Sequence, residues 1–183
     1  MALAELQKRK LKVAFESYDF DHDGSLTKDD LERAASQTSK IKDLKSGSQA
    51  QEKVESVYTI GWDDLQGVAD ADNNGEVTLE EWYVFFDGLI NDQNKIEQYL
   101  QAAATKLIPN LDSDGDVKIT QEDYKEFLFS FNELGKCDAE TAFKKLDTNG
   151  DGFITHDEMK GHIREFYLST DENAAGNWML GRF

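Results

Sequence analysis

Cysteine occurs once in this chain of 183 residues, at Cys137, and no Asn-x-Ser/Thr sequon is present. A single thiol excludes an internal disulfide framework, and the missing sequon leaves no sign of a glycosylated surface. Long hydrophobic runs are missing too. No window reaches 18 consecutive apolar residues, so no segment is built to span a bilayer. The opening residues, MALAELQKRK, meet Glu5 and then Lys8, Arg9 and Lys10 before any apolar stretch of signal-peptide length, and Ala2 stands where myristoylation needs glycine. A reducing, cytoplasmic location is the expectation. Basic residues are scarce, 20 against 37 acids, for a net charge of −17. That balance excludes a binder of nucleic-acid backbones and a polybasic attachment to anionic lipid. A disordered acidic tail is excluded as well, because 39% of the residues are apolar and 11% aromatic. The acid has to be organised.

Internal repeats show how. Four segments of twelve residues share one pattern: DFDHDGSLTKDD from Asp19, DADNNGEVTLEE from Asp70, DSDGDVKITQED from Asp112 and DTNGDGFITHDE from Asp147. Each has Asp at position 1, Asp or Asn at 3 and 5, a branched aliphatic at 8, Thr at 9 and a carboxylate at 12. This is the spacing of the EF-hand loop. A calcium ion takes six to eight oxygens at about 2.3–2.6 Å, and a loop curling round it offers them from positions 1, 3, 5, 7, 9 and 12. Position 7 gives a backbone carbonyl, so Ser25, Glu76, Lys118 and Phe153 are free to differ in side chain. The candidate ligands are therefore Asp19, Asp21, Asp23, Ser25 and Asp30; Asp70, Asp72, Asn74, Glu76 and Glu81; Asp112, Asp114, Asp116, Lys118 and Asp123; and Asp147, Asn149, Asp151, Phe153 and Glu158.

The four loops are not equal. The second and fourth carry the position-6 glycine that the sharp turn requires (Gly75, Gly152) and a position-12 glutamate long enough for two-oxygen contact (Glu81, Glu158). The first ends in Asp30, one methylene shorter, and reaches the ion with both oxygens only if the loop tightens. The third also ends in aspartate, Asp123, and has Val117 where glycine belongs. A left-handed backbone costs a non-glycine residue about 1–2 kcal/mol, roughly a tenfold loss of affinity. Calcium at three loops is the expectation, with the third weakened and a fourth ion left open. Magnesium, content with fewer ligands, is expected to compete at the loops ending in Asp30 and Asp123.

Helical periodicity surrounds every loop. Leu11, Ala14, Phe15 and Tyr18 lead into the first, and Leu31, Ala34, Ala35, Thr38 and Ile41 follow it. Tyr58, Trp62, Leu65 and Ala69 lead into the second, and Trp82, Phe85, Phe86 and Leu89 follow. Leu100, Ala104, Leu107, Ile108 and Leu111 precede the third, with Tyr124, Phe127, Leu128 and Phe131 beyond it. Ala139, Ala142, Phe143 and Leu146 precede the fourth, with Asp138 as N-cap, and Ile163, Phe166 and Tyr167 come after. The position-8 aliphatics Leu26, Val77, Ile119 and Ile154 suit a short antiparallel pairing of loop one with two and three with four. The predicted fold is all-α: two pairs of helix-loop-helix units, residues 1–92 and 93–168, packed as one body, with residues 169–183 closing the interface. Pro109 is expected to kink or end its helix, and Leu44–Lys53 reads as a connecting loop.

The stretches LKVAFESYDFDHDG, GWDDLQGVADADNNGEVTLEEW and GNWMLG resemble the invertebrate sarcoplasmic calcium-binding proteins, calexcitin-like members among them, over nearly the whole chain. The resemblance implies a four-hand body whose C-terminal segment, here Trp178, Met179, Leu180 and Phe183, closes the interface. It also implies a soluble calcium and magnesium buffer. Composition points the same way, because sensors open a methionine-rich groove and this chain has only Met1, Met159 and Met179. The alternatives are a sensor with a protein target and, further off, a photoprotein or luciferin-binding protein. The latter resemble one another in a cavity lined with histidine, tryptophan and tyrosine. Here His22 and His156 lie inside loops and only His162 is able to face a core, while Trp62, Trp82 and Trp178 read as core or interface anchors. No catalytic constellation is visible: no phosphate-cradling glycine loop occurs and Cys137 has no motif partner. A monomer whose partner is calcium, with no indicated protein target, is the expectation.

Overall fold

Apolar residues three and four apart write a helix on each side of every loop, and the loop's own threonine starts the outgoing one. The computed structural model describes residues 2–112, 114–130 and 138–181. Its order is α1 (Glu5–Tyr18), β1 (Ser25–Leu26), α2 (Lys28–Ile41), α3 (Gln49–Ala69), β2 (Val77–Thr78), α4 (Leu79–Ile90), α5 (Gln93–Leu111), β3 (Lys118–Ile119), α6 (Gln121–Phe129), α7 (Ala139–Leu146), β4 (Ile154–Thr155), α8 (His156–Leu168) and a 3-10 turn (Ala175–Trp178). Asp92 caps α5 through the N–H groups of Asn94 and Lys95, and Asp138 caps α7 through that of Thr141.

The loops pair through two-residue antiparallel ladders. Ser25 lies opposite Thr78 and Leu26 opposite Val77; Lys118 lies opposite Thr155 and Ile119 opposite Ile154. The four position-8 aliphatics have no solvent exposure at all, so each ladder pins its loops to the core from inside. That core is continuous across both pairs, running from Leu11, Phe15, Trp82 and Phe86 to Ile96, Leu128 and Phe166. The 3-10 turn packs on α7 and α8, and Tyr124 Oη donates to the carbonyl of Trp178 at 2.8 Å. Met179 and Leu180 just after it are buried.

Two expectations need correction. The helix holding Pro109 does not end at the proline but continues to Leu111. Proline lacks the N–H of its own position, but the last turn keeps the Asp112 N–H on the Ile108 carbonyl at 2.8 Å. Leu44–Lys53 is a loop only as far as Ser48. There the Ser48 hydroxyl accepts the Gln51 N–H and starts α3, so Gln49–Lys53 is helical. Phe131, Cys137 and Phe183 lie outside the described residues.

Candidate metal centres

Each loop wraps its own first carboxylate before any ion is considered. The position-6 N–H donates to one oxygen of position 1: Gly24 to Asp19 at 3.1 Å, Gly75 to Asp70 at 3.0 Å, Val117 to Asp112 at 3.0 Å and Gly152 to Asp147 at 3.0 Å. The position-7 N–H donates to position 5: Ser25 to Asp23, Glu76 to Asn74, Lys118 to Asp116 and Phe153 to Asp151, between 2.8 and 3.2 Å. Both bonds need a left-handed residue at position 6. Gly24, Gly75 and Gly152 have φ near +90°, and Val117 adopts +70° in spite of its branched side chain. The third loop thus makes the same turn as the others and carries the strain of doing so. Position 4 is left-handed as well, at His22, Asn73, Gly115 and Gly150, a requirement the sequence reading did not single out.

The position-12 carboxylate sits three residues into the outgoing helix and accepts from the backbone and hydroxyl of the position-9 threonine. The pairs are Thr27 with Asp30, Thr78 with Glu81, Thr120 with Asp123 and Thr155 with Glu158. In the second loop the other oxygen of Glu81 reaches back to the N–H of Ala71 at 3.0 Å. The shorter Asp30 makes the equivalent bond to Phe20 N–H at 3.0 Å and is almost fully buried, so the first loop does tighten round it. In the fourth loop Glu158 instead accepts from Asn149 Nδ2 at 2.7 Å.

Among the described residues three sets of carboxylate oxygens converge within 4.8 Å: Asp19 with Asp21 and Asp23, Asp70 with Asp72 and Glu81, and Asp112 with Asp114 and Asp116. Asp30 and Asp123 stay with their caps. Asp147, Asp151 and Glu158 are not such a set, and Glu158 is bonded instead to the neutral Asn149 at position 3. Glu76 and Lys118 are exposed, the Lys118 ammonium lying over the Phe153 ring at 4.4 Å, and Ser25 and Phe153 are half-buried, as suits positions that would offer only a main-chain oxygen. These donors are all hard oxygens at the spacing a calcium ion takes, and the ion would neutralise carboxylates that now crowd one another.

The electrostatics differ from loop to loop. Burial pushes the Asp19 carboxyl up. Burial also works against the charge on Asp70, but the N–H groups of Gly75 and Asn74 and the Gln66 side chain outweigh it and hold this group below the usual carboxylate range. The Thr78 N–H and hydroxyl hold Glu81 low. Asp112 is held low against desolvation by His156 and the Gly115 and Val117 N–H groups. That histidine comes from the paired fourth loop, its Nε2 2.6 Å from Asp112 Oδ2, a contact sequence spacing gave no means of seeing. Arg33 Nη1 lies 3.3 Å from Asp21 Oδ2, a second cation on a candidate ligand.

Known proteins agree with this geometry. A family model described as an EF-hand domain pair matches residues 8–86, and one described as an EF hand matches residues 139–161. Calcium-binding protein 2 of Dictyostelium discoideum is 32% identical over 172 residues, covering 92% of this chain and 90% of its own. The chain belongs to the EF-hand family of calcium-binding proteins. Sarcoplasmic calcium-binding proteins II, V, VI and VII of Branchiostoma lanceolatum are 26% identical over 98% of both chains. Within the family, this is a protein of the sarcoplasmic calcium-binding type. The fold alone is shared with a coelenterazine-binding protein from Renilla muelleri in its calcium-loaded apo form, at TM-score 0.78 and 24% identity, over 99% of this chain and 100% of that one.

Proposed function

We propose that the protein is a cytoplasmic calcium and magnesium buffer, with calcium held at the loops beginning at Asp19, Asp70 and Asp147. The loop beginning at Asp112 is the weak one, and magnesium competes where Asp30 or Asp123 closes the loop. The observation that carries the reading is the locked body around the loops. Met159 and Met179 are buried rather than lining an exposed groove, and one core runs through both pairs. The Lys10 ammonium ties α1 to the carbonyls of Glu165 and Ser169 at 3.1 and 2.9 Å and to Asn177 Oδ1 at 2.9 Å. A sensor needs a bistable element that exposes apolar surface, and these ties oppose one. The light-emitting reading lacks its histidines: His162 Nε2 donates to the Leu146 carbonyl at 2.8 Å and His156 is engaged by Asp112. The test is fluorescence of the anionic dye anilinonaphthalene sulfonate during a calcium titration. It stays flat or falls for a buffer; a steep rise would establish a sensor instead.

A further inference from the structure

Asp112 is both the residue that ends α5 and the first candidate ligand of the third loop, and it is held from two directions. From its own loop, the Gly115 N–H donates to Oδ1 at 2.9 Å and the Val117 N–H to Oδ2 at 3.0 Å. From the fourth loop comes His156, the first residue of α8, with Nε2 2.6 Å from the same Oδ2. A carboxylate only accepts, so Nε2 is the nitrogen that carries hydrogen, and the ring donates. The contact is shielded from water, with 2% of the Asp112 side chain and 30% of the His156 side chain exposed. The ladder sets it in place: Thr155 lies opposite Lys118, which brings the residue after Thr155 alongside the third loop.

A donor lying among the ligands would occupy oxygens that an ion needs, whereas a donor behind them orients them. His156 stands behind. Asp112, Asp114 and Asp116 converge within 4.8 Å of one another, and the histidine is not a member of that set. It shares Oδ2 with the position-6 N–H, the bond that all four loops make to their first carboxylate. The second loop has a longer version of the same support, Gln66 Nε2 of its own incoming helix lying 3.4 Å from Asp70 Oδ2. In the third loop the support crosses from the paired loop and is closer. It also falls where the loop is under strain, since Val117 presents its N–H to that oxygen from a left-handed turn. Groups that orient a ligand from behind typically change metal affinity by about 10–100-fold.

We propose that His156 is a positioning residue for the third ion site: it anchors the outer oxygen of Asp112, so that a side chain of the fourth loop sets the affinity of the third. The proposal rests on the reading of the loops as ion sites. It needs the N–H of the neutral ring and no change of charge. The experiment follows a calcium titration of the full chain by nuclear magnetic resonance at two amides, Val117 for the third loop and Gly152 for the fourth, whose N–H groups donate to Asp112 and Asp147. His156→Leu removes the donor, and His156→Gln keeps an N–H at similar reach. In the leucine variant calcium should bind about tenfold or more weakly at Val117, with Gly152 changed by less than about twofold, and glutamine should recover most of the loss. A third loop undiminished or tightened in His156→Leu overturns the proposal, as does equal weakening at Gly152 or a glutamine variant no better than leucine. Should the leucine variant not fold, His156→Ala takes its place. If calcium moves Gly152 but not Val117 in the unaltered chain, the proposal falls and the buffer reading stands. If it moves neither, the assignment of calcium to the fourth loop falls as well.

Discussion

One side chain sets the turn of the third loop apart from the other three. Val117 takes the left-handed conformation that glycine takes elsewhere, keeps the bond to Asp112, and leaves its side chain 54% exposed. Replacing it by glycine therefore removes strain and little packing. Isothermal titration of Val117→Gly should show the weakest calcium step tightened by about tenfold. An unchanged step would point to His156 or Asp123 as the limit. The glutamates test the strong loops: Glu81→Gln and Glu158→Gln should each lose about one tightly held ion, and Asp123→Ala should change the count little while removing a helix cap that is typically worth about 1 kcal/mol. The defect at Val117 was legible because the loop pattern gives every position a required backbone shape. The approach of His156 to Asp112 was not, since it depends on how two distant loops dock.

At the scale of elements, helices were legible wherever apolar spacing was strong, and their ends where a cap was explicit, as at Asp138. The errors fell where one residue was read too strongly. Pro109 forbids a single hydrogen bond near a helix end, and Ser48 starts a helix inside a polar stretch that composition alone assigns to a loop. Lys10 shares the helix face of Leu6 and Ala14 at four-residue spacing, so its burial was open to a reading of the helix face. It is fully buried and caps the C-terminus of α8, where a cation meets the negative end of the dipole. Desolvation lowers its pKa from 10.5 to about 8, against the attraction of Glu165 and Glu172. Between those values the unfolded chain holds a proton that the native one has released, so this group makes stability rise with pH across that window. Lys10→Met should cost about 2 kcal/mol through the carbonyls left without a donor, and should abolish that part of the alkaline slope in denaturation measured against pH. A slope shared by both proteins would assign it to other groups. Gly176 completes the junction, since a Cβ there would collide with the His162 carbonyl oxygen and the Glu165 side chain.

For the whole molecule, the balance of −17 is the governing quantity. Three divalent ions add six positive charges and bring it to −11, so the stripped protein should gain more from added monovalent salt than the loaded one. Melting temperatures across a salt series should rise more steeply for the stripped chain; parallel lines would mean that repulsion is not what ion binding relieves. The acid is held in order by the bond between each position-9 threonine and its position-12 carboxylate. Since that bond already secures the first turn of a helix, one oxygen has two resting places, on the chain's own hydrogens or on a metal. Moving between them takes a swing of one side chain, so an ion that claims the oxygen does so in competition with the start of the outgoing helix.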